Sequence, residues 1–174
     1  TSSRAQQFLA ERYWLKHDPD TAYQLLIRAA VKNPERIDLS MQALKLACET
    51  DQITRVKLDY DRTVSRLSSG RFSNATLGAL SQMIDLHEQQ RCSSLSDADM
   101  HRMLDGLLVN PRYQMGDTLN YLHHMKAQVY RRQKDLDGTI QQLKAAFDAK
   151  PDVETAAIIV GTFLSAGLHN EALA

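Results

Sequence analysis

The sequence predicts an all-α fold, an α-solenoid of antiparallel helix hairpins, on three observations. Apolar residues recur three and four positions apart along most of the 174 residues, which is the period of one helix face. Glycine and proline are scarce, 7 and 4 in number, while Ala, Leu, Gln and Arg are abundant; that balance favours helices over sheets. One helix–turn–helix pattern also occurs twice with the same internal spacing. The expectation is a single helical-repeat domain over 1–174 with an irregular middle.

In chain order, the periodicity predicts helices near 3–16, 20–32, 37–50, 53–68, 74–90, 97–109, 117–133, 137–149, 153–166 and from 169 onward. The breaks carry turn residues: HDPD at 17–20, NPER at 33–36, SSGRFSN at 68–74 and NPRYQMGD at 110–117. Asn74, Ser96 and Asp117 are placed to cap the helices that follow them, and Asp135 or Asp137 to cap the helix after the turn KDLDG. The middle is less regular. Leu44, Ala47, Val56, Leu58, Val64 and Leu67 suffice for a helix pair, although Lys57, Asp59, Asp61 and Arg62 make its second helix polar. Leu77, Leu80 and Ile84 share a face, and Met100, Met103, Leu104, Leu107 and Leu108 make another that ends at Pro111. The interval from Pro34 to Pro111 requires degenerate units, longer helices or a larger turn.

The clearest unit is NYLHHMKAQVYRRQKDLDGTIQQLKAAFDAKP, Asn120 to Pro151. Leu122, Met125 and Val129 share one face of its first helix, and Ile140, Leu143 and Phe147 share one face of its second. Ala127 and Tyr130 recur as Ala10 and Tyr13. Thr139, Leu143, Ala146 and Pro151 recur, equally spaced, as Ala22, Leu26, Ala29 and Pro34. This pattern resembles the tetratricopeptide repeat: a small residue and an aromatic in the first helix, then small, large, Ala and a closing Pro in the second. The sequence departs from that family at His123, where Trp is frequent, at Lys134, where Gly is usual in the turn, and at Thr139, where Ala is usual. A third copy opens at Val153, with Phe163, Gly167 and Ala172 fitting it. Both ends of the sequence fall inside helical patterns, so the expectation is a piece of a longer chain.

Composition excludes several functions. The formal net charge is zero, which argues against nucleic acid as partner and against a polybasic membrane patch. The longest apolar stretch, Thr155 to Leu168, is interrupted by Ser165 and Gly167 and is shorter than the ~20 residues of a spanning helix; direct insertion into a membrane is not expected. Cys48 and Cys92 are either two small buried thiols or, in an oxidising compartment, a disulfide, and their separation does not decide. No phosphate-binding glycine loop and no HExxH or GxSxG motif is present. His123 and His124 are adjacent and point to different helix faces. Asp97, His101 and Asp105 share a face, but read more simply as a solvated stripe than as metal ligands. The expectation is no cofactor, no metal and no catalytic residue.

What the resemblance implies is a non-catalytic interaction or assembly scaffold that binds a protein or peptide partner in a concave helical groove. Carried onto the matching turns, that groove offers Gln7, Glu11 and Trp14 from the first unit and Tyr121, His124, Gln128, Arg131 and Arg132 from the later one. If Tyr13 is core, Trp14, on a different face, is at least partly exposed. The stretches QQRCSS, LLVNPRY and YLHHMKAQVYRRQKDLDGTIQQLKAAF are also similar to the tails of some bacterial membrane proteins of the glycosyltransferase and O-antigen polymerase or ligase kind. That second resemblance implies an accessory domain of glycan machinery, periplasmic, with Cys48 and Cys92 in an oxidising place; without it the cytoplasm is the default.

Overall fold

The computed structural model describes residues 2–70, 73–89 and 91–172. The described residues are helical apart from turns and short connections, with no strand among them. They fall into two compact units, Thr1–Ser96 and Asp97–Ala174.

The first unit contains α1 (Ser3–Leu15), α2 (Pro19–Lys32), α3 (Ile37–Glu49), α4 (Ile53–Ser69) and α5 (Asn74–Glu88). Helix α1 pairs with α2, α2 with α3, and α3 with both α4 and α5. Close helix approach follows from small residues: Ala22, Ala29, Ala30, Ala43 and Ala47 are buried. Leu39, Met41, Leu44, Leu67, Leu80 and Met83 supply bulk, so apolar burial, about 1.5–3 kcal/mol per large side chain, holds the unit together. The polarity expected of α4 is real and is put to use. Asp59 is fully buried and ion-paired with Arg62. The Tyr23 hydroxyl hydrogen-bonds to Asp59, and burial pushes that phenol up to about 12. Arg66 donates to the Ala30 carbonyl at 2.6 Å and to the Ser40 hydroxyl. These bonds tie α4 to α2 and α3 at points that alternative packings would leave unsatisfied.

A disulfide joins Cys48, in α3, to Cys92, in the segment after α5, with 4.8 Å between the Cα atoms. It supplies the covalent link that the irregular middle otherwise lacks.

The second unit contains α6 (Asp97–Leu108), a 3-10 turn (Pro111–Tyr113), α7 (Gly116–Arg132), α8 (Leu136–Ala149), α9 (Val153–Ser165) and α10 (His169–Ala172). Successive helices pair: α6 with α7, α7 with α8, α8 with α9, and α9 with α10. The 3-10 turn lies inside NPRYQMGD, which reads from sequence only as a connection. Asn110 caps it, and its Tyr113 is fully buried.

The expected fold class, an all-α solenoid of antiparallel helix hairpins, tetratricopeptide-like, is the one observed. Caps are corrected at two helices. Ser73, not Asn74, accepts the Thr76 amide at the start of α5. Met115, not Asp117, precedes α7, with no side-chain cap; Asp117 pairs instead with Lys150 at 2.5 Å. At α8 the choice falls on Asp135. Among the described residues no helix is long and apolar enough to cross a membrane.

Candidate functional site: two pockets at equivalent positions

The α1–α2 and α7–α8 hairpins superpose in sequence with a constant offset of 117 positions. Their turns are built alike. His17 and Lys134 both adopt the left-handed conformation, with φ of 60° and 61°. Glycine adopts that geometry without strain, which explains its frequency in tetratricopeptide turns; here other contacts hold it. The next residue caps the second helix in each: Asp18 accepts the Thr21 amide at 3.1 Å, and Asp135 accepts the Gly138 amide at 2.8 Å.

Each hairpin, together with the first helix after it, walls an open pocket. In the first unit a cavity of about 240 Å³ is lined by Ala10, Glu11 and Trp14 of α1, Ala22 and Leu26 of α2, and Lys45 and Glu49 among others of α3. In the second unit a small cavity of about 90 Å³ is lined by His124, Ala127, Gln128 and Arg131 of α7, with Thr139, Leu143 and Thr162. It shares Arg131, Thr139, Ile158 and Thr162 with a larger one of about 410 Å³ that also touches Lys134 and Leu136. Six lining positions correspond: Ala10 with Ala127, Glu11 with Gln128, Trp14 with Arg131, Ala22 with Thr139, Leu26 with Leu143, and Lys45 with Thr162. The same architecture thus carries an aromatic ring flanked by mixed charges in one unit, and an arginine flanked by amides and hydroxyls in the other.

No family model and no curated protein matches this sequence. Among solved structures, the chain is similar to MamA from Desulfovibrio magneticus RS-1 over residues 41 to the end, with 12% identity, a TM-score of 0.51, and coverage of 98% of this chain and 89% of that one. A MamA double mutant from RS-1 gives 12% identity and a TM-score of 0.50, covering 98% and 88%. A thermophilic TPR protein from Thermus thermophilus is 20% identical, with a TM-score of 0.46 and coverage of 99% and 87%. At these identities the likeness to MamA concerns the fold. It extends over nearly the whole chain, irregular middle included. The resemblance to glycan-handling membrane proteins gains no support from these comparisons.

The structure brings some of the groove residues together and disperses others. Glu11 and Trp14 line the first pocket; His124, Gln128 and Arg131 line the second. Trp14 is 39% exposed, but Tyr13 is 37% exposed rather than core, so the exposure of Trp14 has a different origin from the one its neighbour implied. Gln7 lies outside the first pocket's lining and accepts a hydrogen bond from Arg36 at 3.2 Å. Tyr121 lines neither second-unit pocket. Arg132 points elsewhere, toward Asp97 of α6 at 3.9 Å. Lys45 and Thr162 belong to the pockets yet escape sequence reasoning. They lie on the first helix of the following unit, and only the internal offset identifies them.

The histidines have separate partners. His123 Nδ1 meets Gln142 Oε1 at 2.9 Å, and His124 Nε2 meets Thr155 Oγ1 at 2.8 Å. Burial holds His124 below the ordinary imidazole range, against the pull of Asp152 and Glu154. Asp97, His101 and Asp105 are each engaged with α7: Asp97 with Arg132, His101 with Gln133 and the Tyr130 ring, Asp105 with Lys126. Among the described residues no three His, Cys, Asp or Glu side chains gather to hold a metal ion.

Proposed function

We propose that the chain is a non-catalytic interaction or assembly domain that takes a polypeptide partner in the two equivalent pockets. The observation that carries this reading is the recurrence of one pocket at one position of the hairpin, with a partly exposed Trp14 in the first and an exposed Arg131 in the second. Tryptophan and arginine at the edge of a preformed cavity are the residue types that dominate binding energies. The test is to isolate a partner from native extract, map its binding segment, and measure affinity for wild type, Trp14→Ala and Arg131→Ala. Each variant is expected to bind about tenfold or more weakly, since hot-spot truncations cost about 2 kcal/mol or more, with unchanged thermal unfolding. A partner that binds both variants as tightly as wild type overturns the proposal.

A narrower reading places the domain on the oxidising side of a membrane, as an accessory part of a glycan-handling protein. The bonded Cys48–Cys92 pair favours the oxidising side, because structural disulfides persist in such compartments. Fractionation of the native protein tests it: recovery in the soluble cytosolic pool ends that reading.

A further inference from the structure

We propose, resting on the pocket reading above, that the first-unit pocket receives an arginine side chain of the polypeptide partner, its guanidinium held between the Trp14 ring and the Glu11 carboxylate. The two pockets share a position in the hairpin and differ in the charge they select.

The first pocket, at about 240 Å³, is smaller than the roughly 300–1,000 Å³ of sites that enclose a drug-sized molecule, and it suits one long side chain. Leu26 and Leu46 are buried and give it an apolar floor. Its charged groups stand on two helices. Glu11 and Trp14 lie three residues apart on α1, so they are neighbours on one helix face. Lys45 and Glu49 lie on α3, loosely paired with 3.9 Å between Nζ and Oε1. Two carboxylates thus accompany one ammonium. Glu11 has no ion-pair partner among the described residues.

A partner seated here covers Glu11. A carboxylate taken out of water costs free energy unless a charge pairs it, so a fitting occupant brings a cation. An acidic occupant meets an excess of carboxylate and is repelled. Of the two basic side chains, arginine uses the whole pocket. Its planar guanidinium stacks on an indole, its N–H groups donate to a carboxylate in pairs, and its methylenes lie along an apolar floor. The second unit makes the opposite choice at the same position. There Trp14 is replaced by Arg131 and Glu11 by Gln128, and Lys134 lines the larger cavity as well, so a guanidinium would meet like charge. No residue of α6 lines the second-unit pockets, although α6 packs on α7. A helix packed on the first helix of the hairpin therefore leaves this position open.

N-acetyl-arginine amide is the probe, and N-acetyl-citrulline amide is its neutral counterpart. Trp14 is the only tryptophan, so its fluorescence reads occupancy of this pocket in the intact protein. The expected result is a saturable change with the arginine probe that weakens as salt is added. The citrulline probe should bind about tenfold more weakly, having lost the cation–π contact and the charge on its hydrogen bonds. Glu11→Gln should weaken arginine binding about threefold. Lys45→Met, which releases Glu49, should strengthen it. Glu11 and Lys45 are exposed, and unfolding midpoints report whether each variant keeps its fold. Absence of a saturable change overturns the arginine assignment. So does equal binding of the two probes, and so does arginine binding that Glu11→Gln leaves unmoved. The pocket reading fails on a different result, a native partner whose affinity survives both Trp14→Ala and Arg131→Ala.

Discussion

The α1–α2 and α7–α8 hairpins share a backbone plan and differ in how each is tied to the helix that follows. In both, an asparagine satisfies the carbonyl of the closing alanine. Asn33 Nδ2 donates to Ala29 at 2.8 Å, and Asn120 Nδ2 donates to Ala146 at 3.0 Å. Asn33 acts from the end of α2 itself, whereas Asn120 reaches over from α7. The next link diverges further. In the first unit Gln7 accepts from Arg36, which forks onto Asp38 at 2.6 Å and 2.8 Å. At the equivalent place His124 meets Thr155, whose hydroxyl donates to Asp152 at 2.8 Å. One junction is a charged pair, and the other is a hydrogen-bonded chain through a neutral imidazole. A repeat fold therefore conserves the position of a tie without conserving its chemistry, because what the buried carbonyls and helix starts require is a partner, not a particular residue.

The largest difference between the units is covalent. The disulfide closes a loop between residues 44 apart in the first unit, and the second unit has no cysteine. Reduction, or Cys48→Ser with Cys92→Ser, is expected to destabilise the first unit by about 2–4 kcal/mol. Hydrogen exchange resolved along the chain is the measurement. Protection should fall in α3 and α5 and stay unchanged in α7 and α8. Equal loss in both units would mean that they unfold as one.

Where the hairpins coincide, equal substitutions should cost equally. Ala29 and Ala146 are both fully buried. Replacing either by Leu overpacks the crossing and is expected to cost about 1–3 kcal/mol, read as a lowered denaturation midpoint. Unchanged midpoints in both variants would break the register on which the pocket equivalence depends. A loss in one alone would show that the second crossing has room the burial does not reveal.

How much of this was legible in sequence follows from the same contrast. Helix positions, the turns at His17 and Lys134, and the buried alanines were readable, because local spacing and caps determine them. Arg131 and Trp14 were readable as pocket residues through their place in the first helix of the repeat. Arg132 was not, since one residue's step, about 100° around a helix, moves a side chain to another face. The disulfide was open in sequence because its cysteines lie in parts of the chain that only packing brings together. The ties through Asn120, His124 and Thr155 were invisible for the same reason: each joins residues about thirty positions apart, with no local pattern to announce them.

The subtlest expected effect separates the two junctions by pH. Burial holds the His124 pKa below its ordinary value of 6.5. The folded state therefore favours neutral His124, and this contribution is fully present above about pH 6.5 and lost as pH falls through the depressed folded value. His123 beside it opposes the charged form, while Asp152 and Glu154 favour it. The Gln7–Arg36–Asp38 junction has no imidazole. The Arg36 guanidinium holds Asp38 below the ordinary carboxylate value of 3.8, so its contribution survives down to strongly acid pH and disappears only below that value. His124→Gln, which installs at the second junction the residue the first already has, should remove part of the stability lost between pH 7.5 and pH 5 and leave the loss below pH 4 in place. Denaturant midpoints of wild type and variant across that range decide it. Parallel curves above pH 5 would mean that the imidazole takes up its proton without disturbing the tie to Thr155, and the two junctions would then differ in form but not in response.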